Sequence, residues 1–204
     1  NVVFPIKVLE INNGDLYILF FYMINPIEFS YVYFAGGCFW CIEAIFENLN
    51  GVEEVISGYA GGLASTASYK IVCQGHTKHV ETCKIKYDPN IISFDTLLEV
   101  FFLSHNPTEL NRQGNDIGSH YQSTIFYCSQ EEKSKVEVYI DNLLNENVFK
   151  KITTRVLPFK EFFRAEESHQ NYFKLNPNKL YCSFVINPKL KEIRKKLKKF
   201  FDHN

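Results

Sequence analysis

The chain has 204 residues, 46% of them hydrophobic, which is enough for one domain with a sizeable core. Charged residues make up 22% and the formal net charge is −1, so the overall balance points neither to nucleic acid nor to an acidic membrane as partner. Six cysteines at irregular spacing are too few for a secreted disulfide scaffold and suit a reducing compartment with a few chemically active thiols.

The chain starts at Asn1, so a processed or partial N-terminus is expected. Residues 16–24 (LYILFFYMI) are nine consecutive apolar residues, too short to span a bilayer as a helix. They read as a strand, a packed apolar segment or the remnant of a targeting segment. The expected organisation is an N-terminal extension over 1–28 and a single domain over 29–204.

Residues 29–35 (FSYVYFA) read as a buried strand that ends in the Gly36-Gly37 turn. A helix over 38–49 follows, with Ile42, Ile45, Phe46 and Leu49 at helical spacing and Asn50-Gly51 as its stop. Residues 52–59 read as a strand, with Gly58 as a bulge or a point of close approach. Residues 61–68 form a small-residue loop and 69–73 a single helical turn. Residues 80–87 alternate Val80, Thr82, Lys84 and Lys86 against Glu81, Cys83, Ile85 and Tyr87, a strand with a polar face. After a turn at Asp88-Pro89-Asn90, Ser93 caps a helix to 104, with Phe94, Leu97, Leu98, Phe101 and Phe102 as its buried stripe.

Residues 106–120 are polar, contain glycine and show no apolar period; a connection this long is often functional. A strand over 121–127, a charged helix over 130–144 and a strand over 152–157 come next. A short helix falls within 159–173 and is broken at Asn176-Pro177-Asn178. The order from 29 to 127 is β-α-β-β-α-β, so the expected class is α/β (α+β): a split βαβ, ferredoxin-like sandwich with a mixed sheet. Its helices lie mainly on one face, and a long irregular C-terminal segment follows. The tail over 189–201 carries seven Lys or Arg and one acid, with Leu190, Ile193, Leu197, Phe200 and Phe201 at helical spacing. It reads as a basic helix docked on the domain by one face, rather than a membrane-surface helix.

Three cysteine patterns carry chemistry. Cys38-Phe39-Trp40-Cys41 has the C-x-x-C spacing of thiol–disulfide oxidoreductases, and Cys38 stands at a helix N-terminus. There the backbone N–H groups and the helix dipole are expected to favour a thiolate. Cys73, His76, His79 and Cys83 offer four zinc ligands within eleven residues, but without a paired knuckle. Alternatively, Cys38 is a single attacking thiol and a distant cysteine closes a disulfide afterwards.

The motifs along the chain resemble those of the A-type peptide-methionine (S)-S-oxide reductases. The resemblance runs through Gly36-Gly37-Cys38-Phe39-Trp40-Cys41, Ser57-Gly58-Tyr59-Ala60-Gly61-Gly62, Ser68-Tyr69-Lys70 and His79-Val80-Glu81. It continues through His105-Asn106-Pro107-Thr108, Arg112-Gln113-Gly114-Asn115-Asp116-Ile117-Gly118-Ser119-His120-Tyr121 and the stretch from Ala165-Glu166 to Tyr172, covering roughly 29–188. It implies an enzyme of oxidative-damage repair that reduces the S epimer of methionine sulfoxide, free or in proteins, through a sulfenic acid and then a disulfide. By the resemblance Cys38 is the nucleophile and Glu81 the acid. Tyr69 and Tyr121 hold the sulfoxide oxygen, Asp116 organises the site, and Phe39 and Trp40 form the methyl cage.

The resolving thiol implied is Cys182, in the segment Asn176-Pro177-Asn178-Lys179-Leu180-Tyr181-Cys182, with Cys41 as the alternative; Cys73, Cys83 and Cys128 read as structural. The resemblance implies no metal or organic cofactor, and thioredoxin or a similar dithiol as reductant. The expected form is a cytoplasmic monomer, with an organelle-targeted form also open. The competing readings are a general thiol–disulfide oxidoreductase using Cys38 and Cys41, and a zinc-binding interaction module using Cys73, His76, His79 and Cys83.

Overall fold

A computed structural model describes residues 28–197. The apolar run at 16–24 and the tail residues Phe200 and Phe201 lie outside the described residues. The first strand, β1 (Ser30–Ala35), alternates its side chains between two apolar environments. Val32 and Phe34 face one cluster, and Tyr33 and Ala35 face the other. Such two-sided burial is what a central strand requires. β1 pairs antiparallel with β3 (Val80–Tyr87) on one side and with β6 (Thr124–Tyr127) on the other. β2 (Val52–Ala60) pairs antiparallel with β3 and with β8 (Phe162–Arg164), and β6 pairs parallel with β7 (Arg155–Pro158). The mixed sheet therefore runs β7-β6-β1-β3-β2-β8. A separate hairpin joins β4 (Arg112–Gln113) to β5 (Asp116–Ile117).

The larger core cluster gathers the helices. Ile42, Ile45 and Phe46 of α1 (Phe39–Phe46) and Leu97, Leu98 and Phe101 of α3 (Phe94–Ser104) pack there with Val32, Phe34, Ile85 and Ile125. Val136 of α4 (Gln130–Asn145) joins them, as do Leu190 and Ile193 of α6 (Asn187–Lys196). The smaller cluster of Tyr33, Ala35, Ala60, Val80 and Phe126 is covered by Leu157, Phe159 and Phe162, with Tyr33 stacked on Phe159 at 3.8 Å. Two short helices, α2 (Tyr69–Val72) and α5 (Tyr172–Leu175), lie between the larger elements. Ser93 and Ser129 cap α3 and α4 by accepting from the Thr96 and Glu132 N–H groups, each at 3.1 Å.

Several expectations shift. The first helix closes at Phe46 rather than Leu49, and Cys38 is its N-cap rather than its first turn. The bulge in β2 falls between Val52 and Glu54, while Gly58 is the close approach: a Cβ there would sit 2.4 Å from the Phe163 carbonyl oxygen and the Phe162 ring. The strand expected from 121 begins at Thr124. Gln122 is turned aside to accept from the Asn111 N–H at 2.8 Å and donate to the Thr153 carbonyl at 3.0 Å, which leaves Ser119–Tyr121 as a tight turn. The strand expected from 152 begins at Arg155. β8 forms where the sequence pattern predicts a short helix within 159–173. It completes the sheet edge beside Gly58, where only a glycine lets the phenylalanine pair approach. The C-terminal part is more helical than expected: a π-helical turn over Cys182–Ile186 leads into α6, which docks through Leu190, Ile193 and Leu197.

Candidate active site

Four segments converge where β1 ends. Gly37 has φ +91°, a left-handed conformation that glycine adopts without cost, and it turns the chain from β1 into α1. A Cβ on Gly37 would lie 2.6 Å from Gln113 Cγ, so the same glycine lets the β4–β5 hairpin close over the turn. Cys38, the N-cap of α1, lines a cavity of about 40 Å³ together with Phe39, Trp40, Tyr69, Glu81, Asp116, Tyr121 and Tyr181. That volume takes the end of a side chain, far less than the several hundred Å³ of a typical cofactor or drug pocket. A larger groove of about 510 Å³, bordered by Glu53, Glu54, Arg164 and Lys174, holds none of the thiols.

The nucleophile candidate departs from its expected electrostatics. Cys38 is only 6% exposed, and burial pushes its thiol well above the usual cysteine range, with the neighbouring Cys41 and Glu81 adding to the effect. A helix of eight residues capped without a cation does not offset that desolvation. Cys41, hydrogen-bonded by Cys38 and helped by the more distant Lys189 charge, is drawn down to about 7. The two thiols titrate as a pair, with burial raising Cys38 and the Cys38 hydrogen bond lowering Cys41.

Glu81 also lies deeper than its alternating strand pattern suggests. On the face that Glu81 shares with Cys83 and Ile85 the N-terminus of α1 lies over β3, and Glu81 is 2% exposed. Its Oε2 accepts from the Phe39 N–H at 3.0 Å. Burial nevertheless dominates and pushes the carboxyl up to about 8. Tyr69 and Tyr121 have their hydroxyls raised by burial and by nearby negative groups, so both remain donors. Tyr69 is positioned through Glu166, which accepts from the Tyr69 N–H at 2.9 Å and from the Tyr59 hydroxyl at 2.8 Å. Asp116, on β5, accepts from the Tyr181 hydroxyl at 2.7 Å, and that hydroxyl is 3.8 Å from Cys41 Sγ.

The aromatic wall is layered. Trp40 stacks on Tyr172 at 3.6 Å and 7°, and on His169 at 5.6 Å, while Tyr181 meets it edge-on at 5.7 Å. Phe39 is 1% exposed and sits against His169 and Tyr59. The Trp40 indole N–H is buried without an acceptor.

The structure thus brings together Cys38, Phe39, Trp40, Tyr69, Glu81, Asp116 and Tyr121, seven residues singled out in the sequence. Cys182 is fully buried one residue beyond Tyr181, and its thiol is raised by burial and by the Cys41 charge. The four residues of the alternative zinc reading do not cluster among the described residues. His79 Nε2 contacts the Leu63 carbonyl at 2.9 Å, and Cys83 donates to the Phe39 carbonyl at 3.4 Å. Among the described residues one other set, Cys73, Glu81 and His120, offers ligand atoms within 4.8 Å of one another. Sequence reasoning missed Tyr181, Tyr172, His169 and Glu166 as parts of the site; the only signal for Tyr181 was its place beside Cys182.

The family model for peptide methionine sulfoxide reductase matches residues 30–201. The chain belongs to this family. Among similar sequences, a peptide methionine sulfoxide reductase MsrA of Picrophilus torridus is 46% identical over 164 residues, 80% of this chain and 93% of that one. Among solved structures, Mxr1 from Saccharomyces cerevisiae in reduced form is similar with a TM-score of 0.72 and 33% identity, covering 77% of this chain and 91% of that one. Mxr1 in complex with Trx2 shares the fold at a TM-score of 0.51 and 24% identity, over 72% of this chain and 86% of that one.

Proposed function

We propose that this member of the reductase family reduces the S epimer of methionine sulfoxide, in proteins and as the free amino acid, with Cys38 as attacking thiol. The observation that carries the reading is the joint lining of one small cavity by Cys38, a carboxyl held near 8, two protonated tyrosines and an aromatic wall.

The sulfoxide oxygen accepts from the Tyr69 and Tyr121 hydroxyls, and the S-methyl group lies against Trp40 and Phe39. Cys38 attacks the sulfoxide sulfur, and the oxygen then passes between the two sulfurs: a Cys38 S–O bond forms as the methionine S–O bond and the transient S–S bond break, so methionine leaves as the thioether and Cys38 is left as a sulfenic acid. A thiol and a sulfoxide give a sulfenic acid and a thioether with no net proton change: Glu81 delivers its proton to the sulfoxide oxygen, and its carboxylate takes up the proton that the Cys38 thiol releases as it attacks. The high value of Cys38 fits this exchange. Both groups start protonated, the thiol raised by burial and Glu81 held near 8, and the sulfur becomes a thiolate only when a sulfoxide is there to take Glu81's proton.

A second thiol then displaces hydroxide from the sulfenic sulfur, forming a disulfide and water. Cys182 is the resolving thiol by family resemblance. The contact between Cys38 and Cys41 favours Cys41 for the first bond, with Cys182 next in line behind it. A thioredoxin-like dithiol reopens the disulfide, a partner supported by the complex solved for Mxr1. We further read residues 29–197 as one monomeric catalytic unit. The order β6-β1-β3-β2, with the helices in the larger cluster, supports a split βαβ, ferredoxin-like sandwich extended by β7 and β8.

The competing oxidoreductase reading draws on the C-x-x-C pair and the lowered Cys41. That reading leaves the raised carboxyl of Glu81, the two tyrosine hydroxyls and the aromatic wall of the same cavity without a role. The test is product analysis with separated S and R epimers of a methionine sulfoxide peptide. Reduction of the S epimer by the wild type and its loss in Cys38→Ser support the reading. Retained turnover in Cys38→Ser, or reduction of insulin disulfides in place of sulfoxide, overturns it.

A further inference from the structure

The aromatic wall is held from behind by a carboxylate that the reaction does not use. Glu43 lies on α1 with Trp40 and is 1% exposed. Its Oε1 accepts from the Asn171 N–H at 3.0 Å and from the Ser57 hydroxyl at 3.1 Å, and its Oε2 accepts from the Tyr172 N–H at 3.0 Å. Three donors from two distant segments therefore converge on one carboxyl, which accepts from all three in its ionised form.

Two further observations bear on what this arrangement holds. Asn171 takes a left-handed conformation, φ 51° and ψ 33°, which asparagine adopts more readily than other non-glycine residues and which turns its N–H and that of Tyr172 onto Glu43. The next residue, Tyr172, presents its ring flat against Trp40 at 3.6 Å. Gln170 secures the same stretch to β2 by accepting from the Ser57 N–H at 3.1 Å and donating to the Ser57 carbonyl at 2.9 Å.

We propose that Glu43 is a positioning residue: its carboxylate locks the Asn171–Tyr172 backbone so that Tyr172 backs the Trp40 ring and fixes the wall that receives the substrate methyl group. The proposal rests on the reading of Trp40 as that wall. It assigns Glu43 an effect on substrate fit rather than on the bond-breaking step. A carboxamide cannot replace it, because turning an NH2 group toward one of the three donors leaves that donor buried and unpaired.

Trp40 is the only tryptophan in the chain, so its emission reports the stack directly. The variants are Glu43→Gln, Tyr172→Leu and the double variant, each compared with wild type by tryptophan emission and by steady-state kinetics on an S-epimer sulfoxide peptide. The expected result for Glu43→Gln is altered Trp40 emission and a KM raised roughly tenfold, the scale of a small misfit in an apolar pocket. Its kcat should change less than about twofold, and the double variant should be no worse than Tyr172→Leu. A folded Glu43→Gln protein with lower stability but wild-type emission and KM overturns the proposal, as do fully additive effects in the double variant.

Should Glu43→Gln fail to fold, hydrogen exchange on the wild type decides. Asn171 and Tyr172 amides protected as strongly as those of α1 support the clamp, and freely exchanging ones overturn it. If the wild type reduces no sulfoxide, the functional reading fails, while the emission and exchange results still decide the clamp.

Discussion

Replacing Glu81 with glutamine should make the protein more stable and nearly inactive, and the gain in stability should grow with pH. Glu81 is 2% exposed, and its carboxyl is pushed from an ordinary value of 4.5 up to about 8. Below pH 4.5 the group is protonated in both folded and unfolded chains and contributes nothing. Above that value the unfolded chain releases the proton while the folded chain keeps it, so stability falls with rising pH until the folded group also ionises near 8. Each pH unit in this window costs about 1.4 kcal/mol, which amounts to under about 1 kcal/mol at pH 5, about 3 at pH 7 and about 5 at pH 9. Glutamine carries no such cost, and its side-chain oxygen still accepts from the Phe39 N–H. For a chain of this size about 3 kcal/mol corresponds to a Tm difference of roughly 6–12 °C. Thermal unfolding of both proteins from pH 5 to 9 measures the difference directly. Other buried acids, including Glu43 held near 7, are common to both proteins and cancel. The sulfoxide reductase kcat should drop by about 100-fold or more in Glu81→Gln, the usual loss for a general acid. A Tm difference that stays constant from pH 5 to 9 refutes the burial argument. Undiminished kcat refutes the acid assignment.

The recycling path is open to peptide mapping after one turnover with sulfoxide and no added reductant. We expect a Cys38–Cys41 linkage to accumulate in Cys182→Ser, and a Cys41–Cys182 or Cys38–Cys182 linkage in the wild type; sulfenic acid persisting on Cys38 in Cys182→Ser, with no Cys38–Cys41 bond, rules out the relay. Gly37→Ala combines a left-handed φ of +91° with a Cβ 2.6 Å from Gln113 Cγ. It should cost about 2–4 kcal/mol in urea unfolding, from backbone strain and overpacking together. A change below about 0.5 kcal/mol shows that neither the turn nor the hairpin contact constrains the site.

How far the site could be read from sequence depended on the range of each interaction. α1, α3 and α4 carry their own apolar period and, for α3 and α4, their own serine caps, so their existence was legible from local pattern alone. β8 has three residues and owes its place to the edge of β2 and the missing side chain of Gly58, neither of which leaves a local signal. The electrostatics followed the same rule. The alternation in β3 sets Glu81 in line with Cys83, Ile85 and Tyr87, and its depth comes from the α1 N-terminus and the distant segments that line the cavity over that face. A helix N-terminus suggested a lowered Cys38, but the covering of the cavity by distant segments reverses the sign. Tyr181 reaches Asp116 across 65 positions and Tyr172 reaches Glu43 across 129, so no window of sequence could have paired them. The chemistry of this site was therefore written in residue types along the chain, whereas the protonation states that make those residues work arise from contacts between its two ends. That ordering makes a sharp demand on variants of two residues in 165–182. A substitution at Tyr172 or Tyr181 should change the setting of Trp40 or the lining of the cavity before it changes the fold of the sheet, because Tyr172 stacks on Trp40 and Tyr181 lines the cavity while neither lies on a strand.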